Sequence, residues 1–128
     1  LEFRRVLFRF EILTASKESI LLLLYEGCIR FLKQAAQAIV QKNIPEKALL
    51  IGKAQNIVNE LRATLDHQKG GELATSLDAL YDFISQRLIA ANTDNSVEKI
   101  QEAIEILSSL HEAWKQAIHS LKNENKNL

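Results

Sequence analysis

A chain of 128 residues with 16 basic and 16 acidic side chains, 47% hydrophobic, is long enough for one domain with its own core. It is too evenly charged for nucleic acid or an anionic membrane to be its main partner. Cys28 is the only cysteine, which excludes an internal disulfide and fits a reducing compartment, so a cytoplasmic protein is expected.

Residues 1–15 read as a short N-terminal segment. Its first part, "LEFRRVLFRF", mixes Arg4, Arg5 and Arg9 with Phe3, Val6, Leu7, Phe8 and Phe10, but it has neither the long apolar core nor the small-residue cleavage site of a secretory signal. The chain contains no methionine, so residues 1–10 are set aside as a stretch that need not belong to the natural protein. The first helix is expected from Lys17 to about Lys42, with Ser16 as N-cap and Glu18 in the first turn, where the helix dipole favours an anion. Its apolar run from Ile20 to Tyr25 is far short of the roughly 20 residues that span a bilayer, and no membrane insertion is expected.

The turn "KNIPE" ends this helix, because Pro45 fits the first turn of a helix but not its interior. In the second helix Leu50, Ala54, Ile57, Leu61 and Leu65, with Ile51 and Val58 alongside, keep helical spacing until "DHQKGG" breaks it at Gly70 and Gly71. A third helix from about Glu72 to Ala91 carries the seam Leu73, Leu77, Leu80, Ile84, Leu88 and Ala91. Asn95 with Glu98 then forms a capping-box pattern that opens a fourth. Val97, Ile100, Ile104, Leu107, His111, Trp114, Ile118 and Leu121 are its seam, and the polar tail 122–128 is expected to fray. Four long helices with short connections and no strand signal predict an all-α fold, an antiparallel up-down four-helix bundle over residues 16–121.

Helix one carries more apolar surface than such a bundle needs. On a helical wheel Leu21, Tyr25, Cys28, Leu32, Ala35 and Ile39 form the core side. Ile20, Leu24, Phe31 and Ala38 flank it on one side and Leu22, Ile29, Ala36 and Val40 on the other, an apolar arc of about 200° where roughly 100° to 140° suffices. Ile44, Ala48 and Ile51 broaden helix two in the same way. Either helix one is the most buried of the four, or one flank lines a groove that receives a segment of another protein.

Chemistry-bearing residues do not assemble into a catalytic, metal or cofactor site. None of His67, His111 and His119 stands three residues after a glutamate, so the Glu-x-x-His motif of di-iron bundles is missing. His111 falls near the core seam and reads as a packed histidine, and Cys28 as an inert core thiol. The segment from His67 to Gly70 invites comparison with phosphotransfer bundles, whose helical histidine is followed by x-x-Lys-Gly; here one residue is missing and two glycines adjoin it. Glu98, Lys99, Glu102 and Glu105 are most simply a solvated face.

The quoted stretches resemble one family in order and spacing, the flagellin-specific export chaperones of the FliS type. The carriers are "TASK" at Thr14 to Lys17, "LYEG" at Leu24 to Gly27, "KAQNIVNELRATLD" from Lys53, "LDALYDFISQRLIAAN" from Leu77, and the late Trp114. Two departures stand out: Lys17 replaces the family's usual proline, and residues 1–10 do not look like the family's polar, tyrosine-bearing N-terminal segment.

The resemblance implies a non-enzymatic cytoplasmic chaperone. It would bind the C-terminal region of flagellin one to one, keep it from polymerising early and assist its delivery to the flagellar type III export apparatus; contacts with the export gate are left open. The expected contact residues are Ile20, Leu22, Leu24, Ile29, Ile44, Ile51, Ile57 and Tyr81, with Leu77, Leu80, Leu88 and Trp114 assigned to core. The competing readings are a phosphotransfer bundle acting through His67 and a helical adaptor for some other partner.

Overall fold

The computed structural model describes residues 17–126. Four helices follow in order: α1 (Lys17–Val40), α2 (Ile44–Ala63), α3 (His67–Asp94) and α4 (Val97–Lys126). The N-terminal segment and Ser16, its expected cap, lie outside the described residues, as does the end of the tail. Each helix packs on its neighbour in sequence and α4 closes back on α1, while the backbones of the diagonal pairs stay apart. With connections of two or three residues this is an up-down bundle.

The helix ends are set by local chemistry. Lys42 takes a left-handed conformation at φ 60, and the Asn43 N–H bonds back to the Ala38 carbonyl at 2.8 Å. This Schellman-type closure ends α1 two residues before the sequence-based limit. Asn43 then caps α2, its side chain accepting from the Glu46 N–H at 3.3 Å, with Pro45 in the first turn. Asp66 caps α3 by accepting from the N–H groups of Gln68 and Lys69. Gly71, at φ 50 and ψ −124, interrupts the helix after one turn, so the main body begins near Glu72 as the glycine pair implies.

The junction into α4 differs from the expected capping box. Asn95 is the left-handed residue that closes α3, and the cap falls to Ser96, whose hydroxyl accepts from the Lys99 N–H at 3.2 Å. A left-handed residue cannot also hold the extended geometry of an N-cap, so the capping role moves one position on. At the other end α4 continues five residues past Leu121, and in its last turns the exposed side chains of His119 and Asn123 bond at 3.2 Å.

Most predicted seams form the core. Tyr25, Cys28, Leu32 and Ala35 of α1 meet Ala54, Val58 and Leu61 of α2, and Ile100, Ala103 and Leu107 of α4 close over them, all essentially without exposure. Each large side chain buried this way contributes about 1.5–3 kcal/mol. Helix α3 departs from expectation. Its buried seam is Leu77, Tyr81, Ile84, Leu88 and Ala91, whereas Leu73 is 61% exposed and Leu80 37%. Stepping four, three, four and three residues from Leu77 passes through Tyr81, which leaves Leu73 and Leu80 beside the seam.

Polar side chains fasten the helices to one another. Buried Lys47 of α2 donates to the Asn92 carbonyl at 2.8 Å and to Asn95 Oδ1 at 2.5 Å, both at the end of α3. At the other end of the α2–α3 interface Arg62 pairs with Asp78 at 2.9 Å and with Asp82 at 3.3 Å.

Candidate partner-binding groove

Where α1 begins, α2 ends and α3 starts, the bundle opens into a groove of about 540 Å³. Ile20, Leu21 and Leu24 of α1 line it from one side and Leu73, Leu77 and Tyr81 of α3 from the other, with Leu65 and Trp114 also in the lining and Lys17, Asp66 and Lys69 adding charge. The interruption at Gly71 sets the turn 67–70 apart from the main body of α3, and the groove runs along that junction. Gly70 packs tightly there, since a Cβ on it would lie 2.9 Å from the Ala74 Cβ.

Behind the apolar walls lies a small polar cluster. The Trp114 indole N–H donates to the Tyr25 hydroxyl at 3.2 Å, and the Tyr25 and Tyr81 hydroxyls bond to each other across the diagonal of the bundle. Burial holds both phenols above the ordinary tyrosine range, and the hydrogen bond to Tyr25 raises Tyr81 further. Both are therefore neutral at physiological pH.

The residues nominated from sequence are divided among four places. Ile20, Leu24 and Tyr81 line the groove, although Leu24 and Tyr81 are only 7% and 1% exposed. Leu22 and Ile29 are half-buried on the opposite flank of α1, where Ile29 borders a shallow cleft with Glu26, Arg30 and His111. Ile44 is exposed at the start of α2, toward the far end of the bundle. Ile51 and Ile57 are core residues, because α2 is covered by α1 on one side and α3 on the other.

Five large apolar groove residues escaped the sequence reading as contacts: Leu21, Leu65, Leu73, Leu77 and Trp114. Their spacing matches the core seam, and only the glycine break beside Leu73 signalled that the bundle opens there. Phe31, on the Ile20 and Leu24 flank, is less available than its type suggests, with the cations of Lys53 and Arg30 over its ring at 5.4 and 5.5 Å.

Other reactive groups fit structural roles. Burial pushes the Cys28 thiol up to about 12, and its Sγ donates to the Ala54 carbonyl at 3.6 Å, so it stays an un-ionised core group. His67 is exposed on the single turn before Gly71. Lys69 and Gly70 therefore do not continue a helical surface below it, as a phosphotransfer histidine would require. Among the described residues no three His, Cys, Asp or Glu side chains come together as a metal site, and no helix is long and apolar enough to cross a membrane.

The family model for flagellar protein FliS matches residues 8–121. The chain belongs to the FliS family. It is 36% identical to the flagellar secretion chaperone FliSB of Pseudomonas aeruginosa over 92% of this chain and 94% of the relative. It is 38% identical to FliS of Bacillus subtilis (87% and 82% covered) and 39% identical to FliS of Salmonella typhimurium (82% and 78% covered), both flagellar secretion chaperones. A crystal structure of a bacterial flagellar chaperone superposes with a TM-score of 0.77 at 22% identity, over 91% of this chain and 98% of that one, which supports the helical-bundle fold. FliS proteins are chaperones rather than enzymes.

Proposed function

We propose that this chain is a cytoplasmic chaperone for flagellin. It binds the C-terminal region of flagellin one to one, prevents premature polymerisation and assists delivery to the flagellar type III export apparatus. The observation that carries this reading is the apolar groove between α1 and α3, in a chain whose relatives are named flagellar secretion chaperones.

The physical basis is masking. An unfolded amphipathic segment buries its apolar side in the groove, and the area removed from water must offset the entropy of ordering that segment. Leu73 contributes a large exposed apolar surface at the groove. Ile20, Leu24 and Tyr81 are the nominated contacts that remain within reach, and Leu65, Leu73 and Trp114 join them. Leu22, Ile29 and Ile44 serve as secondary contacts only where a longer guest wraps beyond the groove.

Co-purification with flagellin that keeps or lacks its C-terminal segment tests the proposal. Capture that depends on the segment, at one to one, is the expected result. Leu73→Asp abolishes it while Leu49→Asp, also more than half exposed but near the far end of the bundle, does not. Capture independent of the segment, or unaffected by Leu73→Asp, overturns the reading.

A further inference from the structure

The charge in the groove is gathered at one end of it. Lys17 stands in the first turn of α1 and Asp66 and Lys69 at the start of α3, two helices that begin at the same end of the up-down bundle. The rest of the lining is uncharged. Asp66 is already committed to its cap, since its Oδ1 accepts from the Gln68 and Lys69 N–H groups at 3.1 and 3.0 Å. Two ammonium groups remain.

Neither ammonium is held by the fold. Lys47 is held by two oxygens at the end of α3, Arg62 by Asp78 and Asp82, and Arg87 by Glu102. Among the described residues no ion pair or side-chain hydrogen bond does the same for Lys17 or Lys69, and both are exposed. Both also sit where a cation is least favoured, because the start of a helix carries partial positive charge. A carboxylate laid between them meets unpaired positive charge beside an apolar surface.

We propose that Lys17 and Lys69 bind an aspartate or glutamate side chain of the guest, next to the apolar stripe that fills the groove. This deepens the flagellin reading and rests on it. Because both cations lie at one end, the acidic residue fixes which way round the guest lies. A segment turned end for end carries its carboxylate toward Leu77 and Tyr81, where no cation of the lining meets it and its desolvation goes uncompensated. The lysines are exposed, so a chain lying across them reaches them with a side chain and need not end there.

Calorimetric titration of a flagellin C-terminal segment onto the full chain, Lys17→Gln, Lys69→Gln, their double variant and the control Lys33→Gln tests this. Lys33 is also exposed but lines the cleft on the opposite flank of α1. Each groove variant is expected to bind about threefold more weakly and the double variant about tenfold, with the loss shrinking in high salt. Lys33→Gln binds as wild type, and all the variants melt alike.

Neutralising the acidic residues of the segment one at a time identifies the partner. One such change weakens binding to wild type and has no further effect on the double variant, whereas amidating the segment's C-terminus changes nothing. Unchanged affinity of the double variant, an equal loss in Lys33→Gln, or a loss that follows the terminal carboxylate instead of a side chain overturns the proposal. No binding by wild type, or binding that survives Leu73→Asp, overturns the groove reading beneath it.

Discussion

The ammonium of Lys47 and the side-chain oxygen of Asn95 meet at 2.5 Å at one end of the bundle, with the lysine only 4% exposed. Asn95 holds the left-handed turn that ends α3, and Lys47 also takes the Asn92 carbonyl from the last turn. A cation at a helix C-terminus is favoured by the helix dipole as well as by these bonds. One side chain thus fixes the start of α2 against the end of α3.

Lys47→Met keeps the apolar stem but removes the donors, so the Asn92 carbonyl and Asn95 Oδ1, which belong to exposed residues, lose their charged partner. A loss of about 1–2 kcal/mol is expected, read from urea unfolding as a lower midpoint with an unchanged slope. A variant as stable as wild type would mean that water replaces the ammonium without cost.

How much of this was legible in the sequence depends on what kind of information fixed it. Local signals carried the fold: Pro45, the Gly70–Gly71 pair and the periodicity of α2 place the helix ends and core to within a few residues. The groove was less legible, since Leu24, Ile51 and Ile57 have the same chemistry and similar spacing. Only the packing of α2 between two neighbours separates the core pair from the groove residue. Tyr81 and Leu80 show the same limit, being adjacent residues whose burial depends on how α3 is rotated about its axis. Lys47 was invisible, because a lysine in a first turn gives no sign that its acceptors come from 45 residues away.

Acid should weaken the opposite end of the α2–α3 interface. The hydrogen bond from Arg62 holds the Asp78 carboxyl below the usual carboxylate range. The folded state therefore binds this proton less readily than the unfolded chain. The pair stabilises fully above the unfolded value of about 3.9 and is lost as pH falls through the lower folded value. Asp78→Asn is expected to unfold at lower urea than wild type at pH 7, with the gap closing as pH falls through the lowered folded value. Because the pair is partly exposed, the gap should be modest and shrink with salt. A gap that persists unchanged in acid would assign the effect to packing.

Cys28 offers a direct view of opening of the core. Its thiol is fully buried and its ionisation is pushed up to about 12 by that burial. Labelling by a thiolate-selective reagent at pH 8 should be more than about 1,000-fold slower than in urea, the factor expected if reaction waits for unfolding of a domain of ordinary stability. Fast labelling of the folded chain would show that α1 separates from α2 locally.

Two glycines should respond oppositely to alanine. Gly52 lies exposed in the middle of α2, and a Cβ on it meets nothing within 4 Å, so Gly52→Ala should stabilise by about 0.5–1 kcal/mol through helix propensity and a less flexible unfolded chain. Gly71 also has open space around it, but its φ of 50 with ψ −124 is a region alanine rarely enters. Gly71→Ala should therefore cost about 1–3 kcal/mol, and because no clash is involved the cost is purely of backbone conformation. Since Gly71 shapes the junction that borders the groove, this variant should also bind a flagellin segment less tightly, whereas Gly52→Ala should leave binding unchanged. Thermal melts with matched titrations separate the two effects; an alanine tolerated at 71 with full binding would show that the break in α3 is not needed to form the groove.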